Sequence, residues 1–355
     1  MVQQSYSWLE ASKDELAHKV TDLHFERYAD RWNAFGEQAK EKCRQDTRYH
    51  LDYLAEALLT GSPTIFVEYV EWAQIMLSSR GISGEDLELN LLTIREILDD
   101  EQSGHEAASV LDFLDQGVDA LRVKRPPIQS WILDNNPLKE EAETYLQCLL
   151  RGDRQMAGEI VDRLSNDGVD VAEIYEHIFQ ATQYEVGLLW QKNEITVAHE
   201  HFCTAATQNI MIRLYPRIFS TTKKGLRLVS CSVADELHEM GIRMVTDLFE
   251  LNGWDTYYLG ANLPEDQICR AIEEYNADLV AVSVTLPIRV SRVRTLIQGI
   301  RLNDAISDIP VMVGGYPFVT VPDLWKRVGA DGSAGTAREA IQAGEALVER
   351  RGNHR

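Results

Sequence analysis

Hydrophobic positions along this chain change their period partway through. From about Leu9 to Val123, apolar residues recur every three or four positions, the spacing of a buried helical face. Leu51, Leu54, Leu58 and Leu59 carry that period, and Gly61-Ser62-Pro63 marks a stop followed by a helix that begins on proline. Lys124-Arg125-Pro126-Pro127 then interrupts the pattern, because proline withholds a backbone donor and clashes with a continuing helix. Helical spacing returns from about Pro137 to Ser220, punctuated by Gly152-Asp153 and Asn166-Asp167-Gly168, which predicts about four helices of bundle length. Pro216 and the run Thr221-Thr222-Lys223-Lys224-Gly225 close that block.

Beyond it, short β-favouring runs alternate with helical ones. Strands are expected at Leu226–Val233, Trp254–Leu259, Asp278–Val284 and Pro310–Val313, with helices at His238–Leu251, Pro264–Tyr275, Val290–Leu302 and Thr336–Arg350. Strands and helices in that alternation build a doubly wound parallel sheet, flavodoxin-like or Rossmann-like. The fold class is therefore α/β plus all-α. Three domains are expected: residues 1–125, 126–222 and 223–355.

Charge narrows the function classes. The 355 residues carry 56 acidic against 35 basic side chains, a net charge of -21, which opposes binding to phosphate backbones or anionic lipid. Neither a nucleic-acid partner nor a membrane is expected. No run approaches the roughly 20 apolar residues that cross a bilayer, and Met1 to Glu15 lacks the apolar centre of a signal peptide. Cys43, Cys148, Cys203, Cys231 and Cys269 are odd in number, with no C-x-x-C spacing. That usage fits a reducing compartment, so a cytoplasmic location is expected.

The chemistry concentrates where the third block leaves its first strand. Asp235-Glu236-Leu237-His238-Glu239-Met240-Gly241 follows it, at the end of the strand where such sheets bind ligands. A lone histidine at a helix start is more often a solvated cap residue than a ligand. Here Glu236 stands two residues earlier, placed to fix the imidazole tautomer, and Gly241 lets a ligand approach the backbone. Glu236-x-His238-x-x-Gly241, Ser283-Val284-Thr285 and Gly314-Gly315 together resemble the three-part signature of cobalamin-binding domains. The resemblance implies that His238 ligates cobalt from below and that Ser283 contacts the buried base. It also implies that Gly314 and Gly315 leave room for the nucleotide tail. The usual aspartate is Glu236 here and the usual leucine is Thr285, changes that bring the domain nearer to the photoreceptor branch.

In the second block, Trp190 is followed after nine residues by Glu200-His201. That spacing resembles the CarH-type cobalamin photoreceptors, and it implies that Trp190, Glu200 and His201 hold the adenosyl group of adenosylcobalamin. Gln191 departs from the family, which has a cobalt-capturing histidine there; His199 or His201 is the substitute in this chain. The basic recognition helix of the family's DNA-binding domain is absent, so no repressor function is carried over.

The first block contains Cys43, Arg44, Asp46, Arg48, Tyr49 and His50 on one helix, followed by Tyr53. An amphipathic helix explains such a stripe without a ligand. The order nevertheless resembles the chromophore helix of the globin-like phycobiliproteins. The resemblance implies a bilin such as biliverdin, with Asp46 on the pyrrole nitrogens, Arg44 or Arg48 near the propionates and Cys43 a possible attachment point. Trp32, Phe35, Phe66, Tyr69 and Trp72 supply large aromatics for a flat pocket. A bilin domain joined to a CarH-like module resembles the photocobilins. The expected function is then light sensing through photolysis of the cobalt–carbon bond, not enzymatic turnover. A homodimer and a downstream signalling partner are expected with it. The competing readings are a corrinoid carrier of a methyltransferase system, or a cobalamin-binding regulator with a purely structural first block.

Overall fold

A computed structural model describes residues 2–32, 36–101, 105–124, 126 and 128–353. The chain forms two compact units, Met1–Pro126 and Pro127–Arg355. In the first, the long helices are Val2–Arg27, Gly36–Thr60, Pro63–Ser78, Gly84–Glu101 and His105–Arg122. Leu51, Leu54 and Leu58 are fully buried, as their spacing requires, and they join Leu9, Leu16, Phe66, Val70, Leu91 and Leu114 in the core. Each such side chain taken from water contributes about 1.5–3 kcal/mol. Helix Gly36–Thr60 ends where Gly61 adopts a positive φ of 64°, and Pro63 opens the next helix.

The second unit begins with a helical bundle: Lys139–Leu150, Arg154–Asn166, a run made of Val171–Ile174, Tyr175–Gln180 and Ala181–Gln191, and Val197–Met211. Tyr175–Gln180 is a π-helical turn inside an otherwise continuous helix, a feature that often marks functional sites. Asp153, Asp170 and Thr196 cap three of these helices by accepting backbone N–H groups.

The bundle is followed by a sheet of five parallel strands, β1 Arg227–Ser232, β2 Asp255–Tyr258, β3 Leu279–Ser283, β4 Val311–Gly314 and β5 Gly332–Ala334, in the order β2-β1-β3-β4-β5. The all-α plus α/β class expected from the sequence is the observed one. β5 was not expected from the sequence, because its three residues, Gly-Ser-Ala, carry no β-branched or strongly apolar side chain. The strand order reverses direction between β1 and β3, and that switch point opens a crevice beyond their carboxyl ends. Register aligns those ends in one row, pairing Ser232 with Ser283, Ser283 with Gly314, and Gly314 with Ala334. All five cysteines are free. Among the described residues, no helix is long and apolar enough to cross a membrane.

Candidate functional site

The turn after β1 is organised by one buried carboxylate. Glu236 is 0% exposed, and it accepts from His238 N at 2.9 Å, His238 Nδ1 at 2.6 Å, Thr285 N at 2.9 Å and Leu286 N at 2.9 Å. Burial alone would raise its pKa; the hydrogen bonds from His238 and Leu286 prevail and hold it below the ordinary glutamate value. Glu236 thus ties the loop after β1 to the loop after β3 across the switch point. An ionised carboxylate only accepts, so Nδ1 of His238 carries its proton and Nε2 keeps a lone pair. The hydrogen bond that His238 donates to Glu236 raises the His238 pKa, against an opposing effect of burial. The imidazole is still 54% exposed. It is a half-exposed imidazole with a fixed tautomer.

Thr285 enters this arrangement through its backbone N–H. Any non-proline residue supplies that donor, which is the physical reason a threonine serves where the family has leucine. Leu286 supplies a second donor that no sequence pattern indicated.

A cavity of about 120 Å³ is lined by Gly241, Ser283, Gly314 and Gly315, and by Tyr175 and Tyr184 of the bundle. The structure thus gathers Gly241, Ser283 and both paired glycines around one slot. The two ends of the glycine signature act differently. A Cβ on Gly241 would meet nothing within 4 Å, so that glycine leaves space for a ligand. A Cβ on Gly315 would lie 2.0 Å from Val284 O, at a φ of 99°, so that glycine is required by the chain's own backbone. In the slot wall, Tyr175 of the π-helical turn donates to Asp247 at 2.8 Å, and burial pushes the Asp247 carboxyl up to about 6. Glu239, next to His238, accepts from Gln208 of the bundle and from Tyr258 of β2, both at 2.8 Å. Tyr175, Asp247 and Gln208 escaped sequence reasoning because they lie far apart in the chain and belong to no motif, and Glu239 because it stands at an unspecified position of one.

Trp190 ends one bundle helix, and Glu200 and His201 stand in the first turn of the next. Glu200 lies near enough to His238 for its charge to help raise the imidazole pKa, after the larger effects of Glu236 and burial. His201 Nδ1 lies 2.5 Å from Glu200 Oε2. Gln191 is buried, and His199 is engaged with Thr196 in a capping box at 2.7 Å.

In the first unit, the stripe on helix Gly36–Thr60 divides between neighbours. Cys43 accepts from Asn90 at 3.6 Å, and burial raises its pKa to about 11. His50 is buried against the Tyr69 hydroxyl at 2.8 Å, and Tyr53 stacks on Tyr69 with ring centres 3.7 Å apart. Burial pushes the Asp46 carboxyl up to about 6. Arg44 pairs with Glu41 and lies 2.8 Å from His18, and Arg48 pairs with Asp14. Tyr49 is 43% exposed. Phe66 is buried in the core and Trp72 stacks beside Tyr69, whereas Trp32 donates to His24 at 3.1 Å. Phe35 lies outside the described residues.

Two segments match models of B12 binding domains, residues 226–344 one model and residues 141–215 a second. The Dimethylamine corrinoid protein 2 of Methanosarcina acetivorans is 25% identical over 215 residues, 59% of this chain and 95% of that one. The Dimethylamine corrinoid protein of Methanosarcina barkeri is 24% identical, over 59% of this chain and 97% of its own. Among solved structures, the monomethylamine corrinoid protein of Methanosarcina barkeri is similar in fold, with a TM-score of 0.51 and 22% identity over 59% of this chain and 98% of that chain. The matched segments are the helical bundle and the parallel sheet. These are B12-binding domains, and the cofactor is a corrinoid.

Proposed function

We propose that the chain is a signalling protein that binds adenosylcobalamin with His238 below the cobalt and responds to loss of the upper ligand. The observation that carries this reading is the His238 imidazole fixed by Glu236, with Glu200 near enough for its charge to reach it and Trp190 and His201 at the neighbouring helix ends. The donor set fits the group: a tautomer-fixed imidazole presents Nε2, and Gly241 leaves room beside it. When bound, the corrinoid supplies a weak cobalt–carbon bond that light breaks. The chain's own residues orient the imidazole, admit the tail beside Gly241 and Ser283, and cover the opposite face with the bundle. A change at that face alters the packing of the bundle, which is the output.

An indole offers its face to adenine, and a methyl group gains nothing comparable from it. Replacing Trp190 with alanine is therefore expected to weaken adenosylcobalamin binding by about tenfold, within the range of a lost aromatic contact, with little change for methylcobalamin. Dark titrations followed by visible absorption measure both. Equal losses for the two forms would reduce Trp190 to a core residue.

A second reading, a corrinoid carrier of a methyltransferase system, is supported by the relatives, whose own lengths are covered over 95% and 97%. Purified protein loaded with adenosylcobalamin and held in light or darkness separates the two. Light-dependent spectral change without methyl transfer supports the sensor; methyl transfer in darkness to a partner methyltransferase supports the carrier.

The first unit extends the sensor reading. Residues 1–140 lie outside both matched models, and Asp46 stands close enough to Tyr69 to affect its hydroxyl. In this reading Asp46 meets the inner nitrogens of a bilin, while Arg44 and Arg48 exchange their present partners for propionates. Full-length protein supplied with biliverdin is expected to show a red band. Asp46→Asn should shift or bleach it, because removing the negative charge lowers the chromophore's pKa. A wild-type protein that stays colourless with biliverdin would leave the first unit a structural domain.

A further inference from the structure

A line of polar side chains runs through the helical bundle and ends on Glu200. It starts at Tyr145, fully buried, whose hydroxyl lies 2.9 Å from Thr207 Oγ1. Gln183 lies 3.0 Å from Thr207 and 3.0 Å from Thr204, and Thr204 Oγ1 lies 3.1 Å from Glu200 Oε1. The other carboxylate oxygen, Oε2, meets His201. All of these groups except Tyr145 come from two consecutive helices of the bundle, Ala181–Gln191 and Val197–Met211.

Donor counting gives the line a direction. Thr204 has a single hydroxyl proton and two acceptors within reach, the Gln183 amide oxygen and the Glu200 carboxylate. Exchanging the amide oxygen and nitrogen of Gln183, two atoms of nearly equal size, removes the conflict. Tyr145 then donates to Thr207, Thr207 to the Gln183 oxygen, the Gln183 amide N–H to Thr204, and Thr204 to Glu200. Every hydroxyl donates once, and the series ends on a charge, where hydrogen bonds are strongest. The carboxylate is held at both oxygens, and each oxygen has a second lone pair left to accept a ligand donor.

We infer that Thr204 and Gln183 are positioning residues that hold Glu200 to accept from hydroxyl groups on the upper ligand of the corrinoid, favouring a sugar-bearing ligand over a methyl group. The inference rests on the corrinoid lying between His238 and the bundle, as proposed above. A methyl group offers no donor to Glu200, so a fixed carboxylate gains nothing from it and loses hydration beside it.

The test uses the full chain in darkness, titrated with adenosylcobalamin and separately with methylcobalamin, followed by visible absorption. Thr204→Val keeps the shape of the side chain and removes the donor. It is expected to cost about tenfold for adenosylcobalamin, the range of a hydrogen bond to a charged group, and to leave methylcobalamin unchanged. Thr204→Ser should restore the preference, and Gln183→Leu should lose part of it. Unchanged preference in both Thr204→Val and Gln183→Leu, or parallel loss for both cofactors, overturns the positioning role. His238→Ala, measured alongside, separates the two levels. If it alters the bound spectrum while the Thr204 and Gln183 variants keep the wild-type preference, only the positioning role fails. If it too changes nothing, the corrinoid lies elsewhere and the proposed site fails with it.

Discussion

His238→Ala is expected to leave bound corrinoid with the spectrum of a cobalt lacking its lower nitrogen ligand, and to weaken binding more than any other single change in the slot. The imidazole is presented by a chain of constraints: Nδ1 is held by Glu236, and Glu236 is held by the backbone N–H groups of Thr285 and Leu286. Breaking the chain one step back gives a graded effect. Glu236→Gln replaces an acceptor of four hydrogen bonds with an amide that has one oxygen, so the imidazole loses its tautomer and orientation. Losses of about 10–100-fold in affinity accompany such changes behind a metal ligand. The same substitution is expected to lower the thermal midpoint, because the two backbone donors are left without the carboxylate. Titration with cobalamin and a thermal melt, run on both variants, read ligation and stability separately. Wild-type spectrum and affinity in His238→Ala would remove His238 from the site.

The two ends of the glycine signature should separate binding from folding. At Gly241 an added side chain meets no atom within 4 Å and projects beside the slot. Gly241→Leu is expected to melt within a few degrees of wild type and to bind cobalamin about tenfold more weakly, as overfilling a fitted site costs about 1–3 kcal/mol. At Gly315 the opposite holds. Its φ of 99° and ψ of 176° lie in a region open essentially to glycine, and a Cβ would press to 2.0 Å from Val284 O. Gly315→Ala should destabilise the sheet by about 3 kcal/mol or more, since the backbone conformation alone costs about 1–3 kcal/mol. Thermal unfolding and cobalamin titration of both variants check the contrast. A Gly315→Ala protein as stable as wild type would show that the β4 turn relaxes away from Val284.

Periodicity and turn residues alone showed the first block to be helical, with a break at Gly61, and located four of the five strands, because apolar spacing and Gly or Pro breaks are local properties of the chain. Glu236, His238 and Gly241 could be singled out because they share one turn after a strand, and their combination with Ser283-Val284-Thr285 and Gly314-Gly315 carries the resemblance to cobalamin-binding domains. Other groups in the site depend on distance in space. Leu286 N, Gln208, Tyr175 with Asp247, and the line from Tyr145 to Glu200 join residues up to 72 positions apart; only the packing of the bundle and the strand register bring them together. The same limit applies to the first unit. Cys43, Asp46 and His50 share a helix, so their common stripe was visible in the sequence. Which neighbour each meets, Asn90 for Cys43 and Tyr69 for His50, is decided by the helices packed around them. Gly314-Gly315 looked like a single feature, yet Gly315 answers to Val284 O across the sheet. Sequence specifies residue types and local spacing; the tertiary fold decides which groups meet, because burial and hydrogen bonding depend on contacts between distant segments.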